Sequence, residues 1–67
     1  MTRGTVKWFD APRGYGYVRT PDGEDVFVHY SVVQTSTKHA LREGQAVEFD
    51  YEHRARGLCA SIVRVKS

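Results

Sequence analysis

Apolar and polar positions alternate along most of this chain in short runs, broken at intervals by turn residues, and that period of two predicts strands. Residues 5–9, Thr-Val-Lys-Trp-Phe, are β-branched, aromatic or alternating and read as a first strand. Asp10-Ala11-Pro12-Arg13-Gly14 carries turn chemistry, because Pro12 presets its φ and Gly14 permits a positive one. Residues 15–20 read as a second strand, Pro21-Asp22-Gly23 as a turn, and residues 25–30 as a third strand. Residues 31–43 lose the alternation. Within them, residues 36–43 have weak helical character with Gly44 as a stop, so a loop with at most one or two helical turns is expected. Residues 45–51 alternate cleanly as a fourth strand, with Val47 and Phe49 inward and Tyr51 a candidate to join them. Residues 52–57 are an arginine-rich turn, and residues 58–66 form a fifth strand. Five short strands with no room for long helices predict a small all-β barrel or sandwich, one domain over residues 1–67.

The same parity raises a question about function. In Arg13-Gly14-Tyr15-Gly16-Tyr17-Val18, Tyr15 and Tyr17 share one face of a strand, while Gly16 and Val18 share the other. A core ordinarily takes the larger side chains. Two readings therefore stay open for this stretch alone, an outward aromatic pair or a half-buried hairpin with its tyrosines on the core face. The third strand separates them. Val26 and Val28 belong in a core, which sends Phe27 and His29 outward to join Tyr15 and Tyr17, given a hairpin closed by a tight turn at Asp22-Gly23. Exposed rings beside a cation suit single-stranded nucleic acid, since every base offers a face to stack and every linkage a negative charge. The stretch also fits six of the eight positions of the RNA-binding consensus K/R-G-F/Y-G/A-F-V-x-F/Y, departing at Tyr17 and Thr20.

Composition narrows the alternatives. Ten Lys/Arg against eight Asp/Glu leave a net charge of only +2, so a polyanion partner must be argued from where charge sits. Cys59 stands alone and cannot form an internal disulfide, which fits a reducing cytoplasm. No run resembles a signal peptide or a membrane span, so a cytoplasmic protein with no membrane partner is expected. His29, His39, His53 and Cys59 lack metal-site spacing, and Asp22, Glu24 and Asp25 are explained by a turn. No nucleophile stands beside a base and no loop cradles a phosphate. The expectation is a protein with no metal, no cofactor and no enzymatic activity.

Four blocks, Gly4-Thr5-Val6-Lys7-Trp8-Phe9, residues 13–18, Asp25-Val26-Phe27-Val28-His29-Tyr30-Ser31 and Glu43-Gly44-Gln45-Ala46-Val47-Glu48-Phe49, occur in that order. Together they resemble the bacterial cold-shock proteins, which are single cold-shock domains, and the resemblance covers essentially the whole chain. It implies a five-stranded antiparallel Greek-key barrel of the OB type. It also implies binding of single-stranded RNA and DNA; a monomer is expected. The role implied is that of an RNA chaperone and regulator of transcription or translation, in the cold-shock response or a related stress response. Carried over position by position, the ligand face is Lys7, Trp8, Arg13, Tyr15, Tyr17, Phe27, His29, Tyr30 and Arg56, with Lys38 in the long loop. The six rings would stack bases, and the cations would meet phosphates or base edges. Phe9 could fill the barrel end or border that face; Asp25 could accept from base amino groups or order its turn, and the turn is the favoured reading.

The sequence departs from the family pattern in several places. Tyr15, Tyr17 and Tyr30 stand where phenylalanine is common, Asp10 where asparagine is common, and Lys38 where many members carry an aromatic residue. The stretch from His53 to Leu58 is more basic than usual and lacks the common proline after Gly57. The competing functional reading is a small barrel whose aromatic groove holds proline-rich peptides. Lys7 and Arg13 beside the rings favour nucleic acid over that reading.

Overall fold

The computed structural model describes residues 1–34 and 41–65, so the expected helical turns of residues 36–43 fall largely outside the described residues. The elements run β1 Thr2–Asp10, β2 Tyr15–Arg19, β3 Asp25–His29, a 3-10 turn Tyr30–Val32, β4 Val33–Gln34, β5 Ala46–Arg54 and β6 Gly57–Val65. The strand order is β3-β2-β1-β5-β6-β4. The four ladders among β1, β2, β3, β5 and β6 are antiparallel. The barrel of these five closes where β3 meets β6 in parallel at Phe27 and Cys59. The two residues of β4 form a short parallel ladder on β6 within the segment expected to be loop.

Val26, Val28, Val47 and Phe49, marked as core by alternation, are buried, and the structure adds Val6, Val18 and Val63 to them. Leu41 caps them from the long connection. Phe49 is the one aromatic residue among these largest fully buried side chains. Tyr51 packs part-buried on it with ring centroids 5.8 Å apart. Phe9, open in the sequence reading, packs against this core.

Three local features depart from simple alternation or from the expected strand and turn bounds, and each positions the outer face. The first is a bulge in β1. Val6 pairs with Val18, but the next pair is Trp8 with Tyr17, so Lys7 is an extra residue on that strand. Strict alternation from the buried Val6 would turn Trp8 inward. The bulge turns Trp8 out beside Tyr17 and brings Phe9 inward over Gly16.

The second is the β2–β3 turn. Arg19 pairs with Asp25, the Thr20 N–H donates to the Glu24 carbonyl at 2.9 Å, and the loop is the three residues Pro21, Asp22 and Gly23. The Gly23 N–H donates back to the Thr20 carbonyl at 2.9 Å, and the buried Thr20 hydroxyl accepts from the Glu24 N–H at 3.0 Å. Gly23 takes a φ of 87°, the left-handed position that ends a three-residue hairpin loop. A two-residue turn at Asp22-Gly23 would pair Tyr17 with Val28 and mix the faces. The extra loop residue instead pairs Tyr17 with Phe27 and Val18 with Val26.

The third is the end of β3. The strand stops at His29, not Tyr30. The His29 side chain caps the 3-10 turn by accepting from the Ser31 N–H at 3.2 Å. Parity along a longer strand would have put Tyr30 on the core side with Val28; the turn carries it out, to 63% exposure. The arginine-rich turn is also tighter than expected, since β5 and β6 pair down to Arg54 and Gly57 and leave Ala55-Arg56 as the loop.

Gly16 shows how closely β1 and β2 approach. A Cβ there would lie 2.7 Å from the Phe9 Cα and would also strike the Trp8 carbonyl oxygen. Both obstacles include backbone, which cannot step aside as a side-chain tip can. Gly16→Ala is therefore expected to destabilise the domain by about 1–3 kcal/mol, the range for overpacking. A urea denaturation curve should show the midpoint fall accordingly.

Candidate nucleic-acid interface

One side of the β1–β2–β3 sheet carries a continuous set of rings. Trp8 lies 5.9 Å from Tyr15 and 5.5 Å from Tyr17, centroid to centroid. Phe27 stacks on Tyr15 at 5.8 Å and meets Tyr17 edge-on at 5.7 Å. Cross-strand pairing produces this cluster, since Tyr15 opposes His29 and Tyr17 opposes Phe27. Trp8 is 37% exposed and Tyr15, Tyr17 and Phe27 are half-buried, so the rings support one another edgewise while keeping surface free.

His29 and Tyr30 extend the set beyond the sheet, their rings 4.4 Å apart. The His29 Nδ1 accepts from the Ser31 N–H and lies 2.8 Å from the Ser31 hydroxyl, which leaves Nε2 to carry the proton of the neutral ring. Tyr30 lies over Gly14, where a Cβ would come within 2.7 Å of the tyrosine ring. The Tyr30 N–H donates to the Gly14 carbonyl at 2.9 Å. Gly14 is needed twice over, for that contact and for its φ of 78°.

Three cations of this face are held by carboxylates. Lys7 Nζ lies 2.8 Å from Asp25 Oδ2, and Arg19 Nε 3.7 Å from Asp25 Oδ1. Asp25 thus holds two cations rather than ordering its turn. The hydrogen bond from Lys7 keeps its carboxyl below the usual range, so the group is ionised at neutral pH. Arg13 Nε lies 3.6 Å from Asp10 Oδ2, and the Arg13 N–H donates to Asp10 Oδ1 at 3.3 Å. Arg56 makes no ion pair among the described residues. It projects from the β5–β6 loop onto a cleft of about 320 Å³ that it shares with Tyr17, Asp25, Phe27, Gly57, Leu58 and Cys59.

The structure therefore gathers Lys7, Trp8, Arg13, Tyr15, Tyr17, Phe27, His29, Tyr30 and Arg56 around one side of the barrel, while Lys38 lies outside the described residues. Sequence reasoning missed Arg19, Leu58 and Cys59. Arg19 was legible, since it shares parity with Tyr15 and Tyr17. Leu58 and Cys59 were not, because they reach the cleft only through the closure of β3 on β6. Among the described residues no group of three or more His, Cys, Asp or Glu could hold a metal, and no helix is long and apolar enough to cross a membrane.

A five-strand closed barrel with a ring-covered sheet face and flanking cations defines a small OB-type barrel of the oligonucleotide-binding class. The family described as the 'cold-shock' DNA-binding domain matches residues 2–66. The major cold shock protein of Streptococcus pyogenes is 53% identical over 57 residues, covering 85% of each chain. Cold shock protein CspC of Bacillus subtilis is 48% identical over 64 residues, covering 96% of this chain and 97% of its own. Cold shock protein 1 of Lactiplantibacillus plantarum is 54% identical over 63 residues, covering 94% and 96%. Among solved structures, drosophila Unr CSD456 superimposes with a TM-score of 0.77 at 19% identity; the match spans 98% of this chain and 26% of that one, and shows the shared fold. The chain belongs to the cold-shock domain family. With that membership comes nucleic-acid binding in the cold-shock response, and the peptide-binding reading finds no support in these matches.

Proposed function

We propose that this protein binds single-stranded RNA and DNA on the β1–β2–β3 face and acts as an RNA chaperone that melts weak secondary structure. It does so as a cytoplasmic monomer, with consequences for transcription and translation. The observation that carries the reading is the ring set of Trp8, Tyr15, Tyr17 and Phe27 with His29 and Tyr30 beside it, outside the core on a sheet whose opposite side is packed. Stacked bases add affinity with little dependence on sequence, at about 1–3 kcal/mol per base. That suits a protein that must hold many transcripts and release them. Lys7, Arg13 and Arg56 border the rings where a backbone would pass. The site offers binding without catalysis, and its lone Cys59 is a free thiol of the kind found in reducing compartments.

Rings can stack only on bases that are unpaired. A competition between one sequence presented as a single strand and as a duplex is therefore expected to favour the single strand strongly. Equal affinity for the two forms would overturn the stacking reading.

A further inference from the structure

The carboxylates of the ring face have no part in stacking, yet they hold its cations. Asp10 sits at the end of β1 with Arg13 on its Oδ2, and Asp25 sits at the start of β3 with Lys7 on one oxygen and Arg19 on the other. Arg19 shares the outward parity of Tyr15 and Tyr17, and Asp25 itself lines the cleft with Tyr17, Phe27 and Arg56. Three cations of the face are thus countered by two acids, and Arg56 alone is left uncountered among the described residues around the cleft.

We infer that Asp10 and Asp25 are affinity-limiting residues of this interface: each holds cations that a nucleic-acid phosphate would otherwise claim. The inference rests on the proposed single-strand reading and adds how that site is tuned. An incoming phosphate meets a nearly neutral pair at Asp10–Arg13, and two cations sharing one acid at Asp25, instead of free cations, and it must displace a carboxylate 2.8–3.7 Å from each of them. Binding then leans on stacking and gains little from counterion release. For single strands each neutralised phosphate contributes about 0.7 to the log–log salt slope. Lys7, Arg13, Arg19 and Arg56 acting freely would give a slope near −3 at most. With Asp10 and Asp25 offsetting two of these four charges, the slope of the native protein falls to about −1.5 or shallower. Asp10 and Asp25 determine salt sensitivity and release rather than which base is chosen.

The test is Trp8 fluorescence titrated with one oligothymidine at several salt concentrations, in the native protein and in Asp10→Asn and Asp25→Asn. Asparagine keeps the carbonyl oxygen that accepts the Arg13 N–H, so the turn survives the first substitution while its charge does not. Asp10→Asn frees one cation. It is expected to steepen the slope by about 0.7 and to tighten binding about fivefold near 0.1 M salt, converging with the native protein near 1 M. Asp25→Asn frees two and is expected to tighten binding by about five- to twenty-fivefold under the same conditions. Asp50→Asn removes an acid of β5, outside the β1–β2–β3 face, that pairs with the N-terminal amine of Met1, and should leave the slope unchanged. Unaltered slope and affinity in both face variants, or weaker binding by both, would overturn the inference. So would an equal gain in Asp50→Asn, which would make the effect one of net charge. The two face variants lie on different strands, so either alone carries the test if the other is unstable to heat. A native protein that fails to bind oligothymidine at any salt would overturn the single-strand reading itself, a result distinct from a bound complex with unchanged slopes.

Discussion

Phe49→Ala is expected to leave the domain largely unfolded at room temperature. Phe49 is fully buried and lies at the centre of β5, where it meets the valines of the core and the ring of Tyr51. Removing a buried phenylalanine costs about 3–5 kcal/mol, through lost transfer free energy and the cavity left behind. A domain of 67 residues has about 3–10 kcal/mol of total stability, at roughly 0.05–0.15 kcal/mol per residue. The loss is therefore comparable to the whole. The closed barrel gives no easy collapse into the void, because strands on both sides are pinned by ladder hydrogen bonds to neighbours. Circular dichroism with heating should show no cooperative transition, or one shifted far down. A melting curve close to the native one would mean that the core is not organised around this ring.

Phe27→Ala is expected to do the opposite, weakening nucleic-acid binding by about 1–3 kcal/mol, roughly five- to 150-fold, while leaving the fold intact. Phe27 sits between Tyr15 and Tyr17, so its removal takes one platform away and loosens the two beside it. Its ring contacts cost something in stability as well, at about 0.5–1.5 kcal/mol for each aromatic pair beyond simple burial. That is small beside a core cavity. The informative comparison is with Val28→Ala, one residue along β3 and fully buried. There the stability should fall while the affinity of the protein that remains folded stays near native. Oligothymidine titration and urea denaturation of both variants separate the two effects. Unfolding by Phe27→Ala together with an unharmed Val28→Ala would invert the assignment of faces.

Which side of the sheet is which was only partly a matter of local pattern. Val26, Val28, Val47 and Phe49 were identifiable as core from alternation alone, and all are buried. Tyr15 and Tyr17 were not decidable on their own, because either face of an isolated strand can be the inner one. Trp8 was the hardest, since parity from Val6 points it inward and only the bulge at Lys7 reverses that. The charge balance of the site was least legible of all. Asp25 was explained by its turn, and no rule of spacing joins it to Lys7, eighteen positions away.

By itself, then, the sequence determined the number and placement of the five long strands, the valine-rich core and the presence of an aromatic set with glycines beside it. These follow from side-chain alternation and from backbone limits at glycine and proline, which act within a few residues. The tertiary structure alone decided the register of the strands, the outward turn of Trp8 and Tyr30, and the meeting of Arg56, Leu58 and Cys59 with Phe27. It also decided that Lys7, Arg13 and Arg19 are countered by carboxylates rather than free. The physical reason is that register belongs to a pair of strands and closure to the whole barrel. One residue more in the loop before β3 or in the bulge of β1 exchanges the inner face for the outer, and such a shift changes little in the local pattern of either strand.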